Sequence, residues 1–159
     1  MQAHREQMLD SLAEGAERAR RTLGVATASV SVWERDAGLL RTIVNTGTLA
    51  AGEHERPTDE TYPVLTFPAL ASLLVGRTPY CFGLGDPVDV SSASLAARLG
   101  KETQAAAPIS VHGEVWGSLW VATVPGGRPL ARSDLPRIVR AANEIARVVA
   151  ACVASEPRA

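Results

Sequence analysis

Apolar residues of the segment WGSLWVATV, residues 116–124, occupy both alternating rows of a predicted strand. A strand with one face in water alternates apolar and polar residues, so two apolar rows indicate a strand that is covered on both faces. Trp116 and Trp120 share one row, separated by Ser118, while Leu119 and Val121 occupy the opposite row. The pattern predicts a sandwiched strand without indicating which row meets which covering layer.

Amphipathic helices are predicted at both ends of the chain. In the N-terminal helix apolar residues recur at spacings of three and four, and Gly24 is expected to end the helix after residue 23. Its apolar stripe comprises Leu9, Leu12, Ala16, Ala19 and Leu23. Ser133 is expected to cap the C-terminal helix. The stripe of that helix comprises Leu135, Ile138, Ala142, Ile145, Val149 and Cys152.

Two β-hairpins are predicted between these helices. The first pairs residues 26–34 with residues 39–47 across the turn Asp36-Ala37-Gly38. The second pairs residues 103–111 with the strand of residues 116–124, across His112-Gly113. Their β-branched residues and intervening turn residues favour antiparallel pairing.

Short elements and a loop are predicted in the middle of the chain. Residues 48–61 are rich in Gly, Glu, Pro and Thr and lack apolar periodicity, which indicates a loop. Residues 67–77 predict a short helix, and residues 78–82 predict a short strand. A further short helix is predicted up to Gly100, with Ser91 or Ser92 as its N-cap.

This order of elements predicts an α+β fold with an antiparallel sheet covered on both faces. The terminal helices are expected on one face and the loop-rich middle on the other. With 159 residues, one domain over the whole chain is predicted, with its core at about residues 12–153 and an N-terminal helical extension over residues 1–23.

Composition and charge narrow the function classes. The apolar fraction is 46%, the charged fraction is 21% and the formal net charge is −1, so neither nucleic acid nor an anionic membrane is an expected partner. The charged N-terminus lacks the apolar core of a signal peptide, and no apolar run approaches the length of a membrane span. Two cysteines are too few for a disulfide framework and favour a cytoplasmic protein.

Four segments together resemble a GAF domain, the small-molecule-sensing relative of the PAS fold, over about residues 12–153. They are LGVATASVSVWE, LRTIVNTG, APISVHGEVWGSLWVATV and RPLARSDLPRIVRAANEIARVVA. The segment ETYPVLTFPAL is also similar to a subgroup found in actinobacterial signalling proteins, where such a domain precedes an output module.

The resemblance implies a five- or six-stranded antiparallel sheet, with the terminal helices on one side and a pocket on the other. It implies a regulatory domain that binds a small molecule, with a nucleotide or cyclic nucleotide among the expected ligands, and an output domain such as a diguanylate cyclase, phosphatase or kinase. Family membership does not identify the ligand or a cofactor. The heptad-like step of the N-terminal helix further predicts a homodimer through the terminal helices.

Candidate ligand-binding residues lie mainly in the middle segment. Aromatic rings with polar tips suit the wall of a small-molecule pocket, and polar residues at strand ends or in loops suit ligand orientation. The predicted wall residues are Tyr62, Tyr80, Phe82 and Trp120. The predicted polar residues are Asn45, Thr61, Cys81, Asp86 and Ser110. In a chain with 4% aromatic residues, each ring is also a candidate for the core.

Catalysis and metal binding are not expected. The FGLGDP segment lacks the full spacing of a dinucleotide-binding loop and predicts a turn. None of the three histidines lies on a clearly buried face where it could ligate haem. Cys81 leaves open a thiol enzyme of the free methionine sulfoxide reductase type, but Cys152 belongs to the core stripe and is a poor resolving partner. A dimerisation scaffold without a ligand is the other alternative.

Overall fold

The computed structural model describes residues 1–156, so the last three positions of the predicted domain lie outside the described residues. The helices are α1 (Gln2–Leu23), α2 (Pro68–Leu74), α3 (Val90–Arg98) and α4 (Leu135–Ala154). The strands are β1 (Thr27–Glu34), β2 (Leu39–Gly47), β3 (Glu60–Pro63), β4 (Tyr80–Phe82), β5 (Thr103–Val111) and β6 (Glu114–Thr123). Short 3-10 helices span Val64–Thr66 and Arg132–Asp134.

A single antiparallel sheet forms the centre of the structure, with its six strands in the order β3-β2-β1-β6-β5-β4. The two predicted hairpins, β1-β2 and β5-β6, meet through the β1-β6 pair. The predicted α+β fold is therefore confirmed, with six strands. The predicted loop of residues 48–61 is confirmed as far as Asp59, but its last two residues belong to the edge strand β3, which begins at Glu60.

The terminal helices α1 and α4 cover one face of the sheet. Leu12 of α1 and Ile138 of α4 are fully buried in one core with Val30 of β1 and Leu119 of β6. Gly15 of α1 faces Ile145 of α4, where an added Cβ would make ordinary contact at 3.5 Å. Within residues 1–156, no helix combines the length and the apolar character that crossing a bilayer requires.

A second apolar cluster packs the middle of the chain, around α2, against the opposite face of the sheet. Leu70, Leu73 and Leu74 of α2 pack there against Ala106 of β5 and Val115 of β6. Half-buried Tyr62, Phe67, Tyr80 and Trp120 surround this cluster. We call the segment from the loop after β2 to Leu99, the residue after α3, the roof, residues 48–99. Because both faces are covered, apolar residues occupy both rows of β6.

A β-bulge corrects the predicted row of Trp116. Ile109 pairs with Gly117, whereas the next residue, Ser110, pairs with Val115, which leaves Trp116 as the extra residue. An extra residue reverses the alternation of side chains, so Trp116 packs towards the terminal helices. Trp120 packs towards the roof. The prediction that the two tryptophans share a row was wrong because the bulge could not be inferred from an unbroken alternation.

Carboxylates accept backbone hydrogen bonds near the starts of the two helices for which serine caps were predicted. Asp89 precedes α3, and its Oδ2 accepts a hydrogen bond from the Ser92 backbone N–H at 2.9 Å. Before α4, Asp134 Oδ2 accepts from the Ala131 N–H at 2.9 Å, while Ser133 lies within the 3-10 helix. Asp89 therefore caps α3 in place of the predicted Ser91 or Ser92, whereas Asp134 closes the 3-10 turn and makes no side-chain cap to α4. Gly24 ends α1 with φ of 67°, as predicted.

Candidate functional site

A cavity lies between the roof and the face of the sheet opposite the terminal helices. Its floor consists of side chains from β1, β2, β5 and β6, among them Ser31, Thr42, Gln104 and Ser118. The roof contributes Phe67 and Leu70 from around α2, Ser92, Leu95 and Leu99 from around α3, and Glu53 from the loop. The site thus lies where the predicted pocket was placed, on the roof side of the sheet.

The interior of this cavity is small. The space between sheet and roof totals about 560 Å³ when its open side is counted, but only about 40 Å³ is wide enough for a water-sized sphere. The smaller figure describes the enclosed space, and it corresponds to roughly two or three water molecules. In this conformation the cavity therefore admits a group of a few heavy atoms, and a larger ligand would require movement of the roof.

Aromatic rings form much of the wall. The chain has three Trp, two Tyr and two Phe, of which both tyrosines, Phe67 and Trp120 line the cavity. Tyr62 and Phe67 meet edge to face, with ring centroids 5.8 Å apart and planes at 89°. Burial raises the pKa of Tyr80 well above its usual range, and the nearby charge of Asp89 raises it further. The wall is thus apolar, with phenols that stay protonated.

Hydroxyl groups cover the floor in pairs, with one exception. Ser31 Oγ lies 2.9 Å from Thr42 Oγ1, and Ser29 Oγ donates to Asn45 Oδ1 at 2.5 Å. Ser118 is 1% exposed, yet its Oγ has no hydrogen-bond partner among the described residues. Because a buried hydroxyl without a partner is costly, its presence in the cavity lining indicates a place for a polar ligand atom.

Glu60 lies at the edge-strand side of the cavity and accepts two hydrogen bonds. Asn45 Nδ2 donates to its Oε1 at 3.1 Å, and the Tyr62 hydroxyl donates to its Oε2 at 2.8 Å. Burial raises the pKa of Tyr62, and the charge and hydrogen bond of Glu60 raise it further. Two donors therefore hold the carboxylate in place without neutralising it.

A hydrogen-bond chain ties the roof to the sheet at the opposite side. Trp120 Nε1 donates to Gln104 Oε1 at 3.2 Å, and Gln104 Nε2 donates to the backbone carbonyl of Ser92 at 3.2 Å. This chain links β6 and β5 to the first turn of α3. A displacement of α3 would therefore act directly on Trp120 in the cavity wall.

A buried ion pair ties the loop after β2 to the start of β5. Lys101 Nζ lies 3.4 Å from Glu53 Oε1, and their side chains are 1% and 5% exposed. Lys101 Nζ also donates to the Thr48 carbonyl at 2.9 Å, and Glu53 Oε1 accepts from the Ala50 N–H at 2.8 Å. Glu53 lines the cavity, so this pair fixes one part of the roof beside it.

The structure brings three of the nine predicted site residues into the cavity lining: Tyr62, Tyr80 and Trp120. Asn45 lies behind the lining and orients Ser29 and Glu60. Thr61 is half-buried on β3 and does not line the cavity.

The other predicted residues lie elsewhere. Cys81 packs into the core under the terminal helices, because it faces the opposite side of β4 from Tyr80. Phe82 lines a separate depression beside α3, and Asp86 closes an exposed turn by accepting from the Gly83 N–H. Ser110 is exposed near the end of β5.

Sequence reasoning missed most of the polar floor. Ser29 and Ser31 alternate with apolar residues in the SVSV segment, a period-two signal that marks one polar face of β1. Gln104 and Glu60 had no comparable signal, because their role depends on pairing between strands distant in sequence. Ser118 was visible between two tryptophans, but its missing partner is a property of the packed structure.

A tetrapyrrole does not fit this cavity. The enclosed space of about 40 Å³ is far smaller than a haem or bilin. The cavity lining contains no histidine or cysteine from the described residues, and burial raises the pKa of the Cys81 thiol, with Asp134 and Asp86 adding to the effect. The side chains present offer neither an axial ligand nor a reactive thiolate to such a group.

Among protein families, the model of the GAF domain matches residues 7–153. Among curated proteins, none matches the chain. Solved structures with the same fold include the phycocyanobilin-bound GAF domain from a cyanobacterial phytochrome, with a TM-score of 0.72 at 17% identity, covering 95% of this chain and 88% of that one.

Two further solved structures come from other kinds of protein. A segment of a methyl-accepting chemotaxis protein has a TM-score of 0.72 at 16% identity, with 95% of this chain and 93% of that chain covered. A GAF domain/HD domain protein from Geobacter sulfurreducens has a TM-score of 0.69 at 16% identity, with 92% and 94% covered. At these identities the likeness establishes the fold.

Proposed function

The chain belongs to the GAF family, and from this premise we propose that it is a regulatory domain that senses a small molecule in the cavity beneath its roof. The observation that carries the proposal is the buried Ser118 hydroxyl, which has no partner within the described residues and lines the cavity. Burying a hydroxyl without a partner costs about 1–3 kcal/mol, and a polar ligand atom bonded to Ser118 would offset that cost.

A route from the cavity to the terminal helices supports a sensing role. Ser118 and Trp120 face the cavity, while Leu119 and Val121 between and beside them face α1 and α4. Because closely packed layers move together, a change in the position or twist of β6 would displace both α1 and α4. Ligand binding would then alter the position of α1 and α4, the elements available for contact with another module.

We further propose the finer assignments that follow from a sensing role. The domain acts in a cytoplasmic bacterial signalling protein, of the actinobacterial kind suggested by its sequence, with an output module such as a diguanylate cyclase, phosphatase or kinase. Support for the setting comes from similar domains in chemotaxis and HD-domain proteins.

Homodimerisation through the terminal helices is part of this proposal, with one change in its geometry. Leu12 and Ala16 of the heptad-like stripe are fully buried against the chain's own sheet. A dimer seam must therefore use the more exposed sides of α1 and α4, where Met8 and Leu9 are half-buried and Val153 is 44% exposed.

We propose no enzymatic activity for this domain. A thiol reductase requires a reactive thiolate, whereas burial and nearby carboxylates raise the pKa of Cys81. Replacing Cys81 with Ser is therefore expected to leave any ligand binding unchanged, and measurable methionine sulfoxide turnover that Cys81→Ser abolishes would contradict this assignment.

A thermal-shift screen tests the sensing function. Nucleotides, cyclic dinucleotides, amino acids, haem and small amines are each added to the whole chain, because a compound that prefers the folded state raises the melting temperature. A hit is then tested on Ser118→Leu, which fills the cavity, and on the matched control Ser110→Leu at the exposed end of β5.

The expected result is a ligand-dependent rise in the melting temperature of the wild type and Ser110→Leu that is absent in Ser118→Leu. Circular dichroism first verifies that both variants fold, since an overpacked core typically loses about 1–3 kcal/mol. A rise that persists in folded Ser118→Leu would place the ligand elsewhere and contradict the proposed site.

A further inference from the structure

The charges that line the cavity are both negative. Glu53 and Glu60 are the carboxylates, and no Lys, Arg or His in residues 1–156 belongs to the lining. Lys101 neutralises Glu53 at 3.4 Å. Glu60 accepts hydrogen bonds from Asn45 and Tyr62 but forms no ion pair within the described residues. The cavity therefore carries a net negative charge that opposes a phosphate and favours a cation.

Arg98, a cationic residue of the roof, does not cancel the negative charge of the cavity. The charge of Arg98, on α3, acts on the Tyr62 hydroxyl. Arg98 is exposed to solvent and does not line the cavity. An exposed charge is screened by water and salt far more than a buried one. The carboxylate of Glu60 thus remains the unpaired charge that an enclosed ligand meets.

The aromatic wall suits a cation of one particular kind. Trp, Tyr and Phe rings attract a cation that lies over their faces within about 6 Å, and cages of such rings bind methylated ammonium groups. Here Tyr62 and Phe67 stand at 89° to each other, and Tyr80 and Trp120 complete the lining. Methyl groups on an ammonium ion make apolar contacts with such rings and spread the charge, whereas the N–H groups of an unmethylated ion find no acceptor on the rings.

Ser118 supplies a second, independent requirement. Its buried hydroxyl has no partner among the described residues and can donate to an oxygen atom or accept from a hydroxyl. A ligand that joins a methylated ammonium to a neutral oxygen would satisfy both Glu60 and Ser118.

We propose that the cavity binds a small methylated ammonium compound with a neutral oxygen, the chemistry of choline, between the Glu60 carboxylate, the aromatic wall and the Ser118 hydroxyl. This inference rests on the proposed sensing function and specifies its ligand class. The enclosed volume of about 40 Å³ is smaller than choline, so binding of choline requires the roof to move outward.

Isothermal titration of the whole chain tests the charge requirement directly. Choline is compared with 3,3-dimethylbutan-1-ol, which has the same shape but carries carbon in place of the charged nitrogen. Methylammonium and tetramethylammonium chlorides determine the preferred size. We expect choline to bind at least about tenfold more tightly than its neutral counterpart, the ratio that a desolvated cation–π contact and a carboxylate provide.

Variants assign that preference to the cavity. Glu60→Gln keeps one oxygen to accept from Asn45, and its amide NH2 can donate to the Tyr62 hydroxyl, which then accepts. The variant removes the charge, so it should weaken choline binding about tenfold without changing the affinity for the neutral alcohol. Glu114→Gln, at the exposed start of β6, is the matched control and should bind as the wild type does. If Glu60→Gln fails to fold, the comparison of choline with the alcohol in the wild type still decides the question.

The outcomes separate this inference from the broader one. Equal affinity for choline and the alcohol, or no binding of any ammonium probe, overturns the ligand class. If a nucleotide or another probe then raises the melting temperature of the wild type but not of Ser118→Leu, the sensing function stands with a different ligand. If no compound in either experiment binds in the cavity, both proposals fail.

Discussion

Replacing Ser118 with alanine is expected to stabilise the ligand-free protein. Ser118 lies in the middle of β6, opposite Ser31 of β1 and Pro108 of β5, and its side chain is enclosed by the sheet and roof. Its Oγ has no partner within the described residues. Because burial of an unpaired hydroxyl costs about 1–3 kcal/mol, Ser118→Ala should raise the free energy of unfolding by about 1 kcal/mol.

The gain in the free energy of unfolding for Ser118→Ala is smaller if a water molecule occupies the cavity. The enclosed space of about 40 Å³ is large enough for water, and a molecule bonded to Ser118 would reduce the gain towards zero. It would not reverse the sign to a substantial loss, because the substitution removes a single oxygen atom and leaves no other protein group unpaired.

The same substitution at Ser31 provides the matched control with the opposite sign. Ser31 is 3% exposed and its Oγ lies 2.9 Å from Thr42 Oγ1, which is buried as well. Ser31→Ala leaves the Thr42 hydroxyl without this partner, so it should lower the free energy of unfolding by about 1–3 kcal/mol.

Urea unfolding and thermal melts of the two variants test the reasoning. For a chain of 159 residues, a change of about 1 kcal/mol moves the melting temperature by roughly 2–4 °C, upwards for Ser118→Ala and downwards for Ser31→Ala. Equal losses in both variants would refute the view that Ser118 is unpaired. With a ligand bound through Ser118, the order should change, because Ser118→Ala then loses a hydrogen bond worth about 0.5–1.5 kcal/mol.

Two further predictions concern the buried ion pair and the close approach of backbone segments. Lys101→Met leaves the Glu53 carboxylate buried without its cation and should lower the free energy of unfolding in urea by about 3–5 kcal/mol. The double variant Lys101→Met/Glu53→Gln should restore most of this loss. A double variant as unstable as the single one would contradict this account. Gly117→Ala would place a Cβ against the Ser31 carbonyl oxygen and should lower the melting temperature strongly. Gly15→Ala lies inside α1, where the new Cβ would be 3.5 Å from Ile145 Cγ1 of α4, and it should stabilise the protein by about 0.5–1 kcal/mol. Comparable melting temperatures for the two variants would exclude the steric explanation.

The fold was predictable because its evidence is local. The stripe from Leu12 to Leu23 and the stripe from Leu135 to Val149 each follow the helical period, and Gly24 ends α1 by adopting a left-handed conformation. The two apolar rows of β6 required covering layers on both faces. Each of these signals depends on residues only a few positions apart, so it can be read from a short stretch of sequence.

The site was predictable only in part because its geometry is not local. Tyr62, Tyr80 and Trp120 were identified from their aromatic character, and all three line the cavity. Cys81 was predicted to face the ligand and Trp116 to share the row of Trp120, but both side chains pack at the core beneath the terminal helices. The face that each occupies depends on strand register and, for Trp116, on a bulge. The ion pair of Glu53 with Lys101 joins residues far apart in the chain, and no helical or strand periodicity in the sequence predicts it.

The bulge at Trp116 gives the protein two intrinsic fluorophores on opposite faces of one strand. Trp120 belongs to the cavity wall, and Trp116 contacts the core beneath the terminal helices. Once Trp33 is replaced, a variant that retains only Trp120 reports on the ligand's surroundings, and one that retains only Trp116 reports on the helical layer. Stopped-flow mixing of each variant with a ligand would time the arrival of a structural change at each face, without an attached dye.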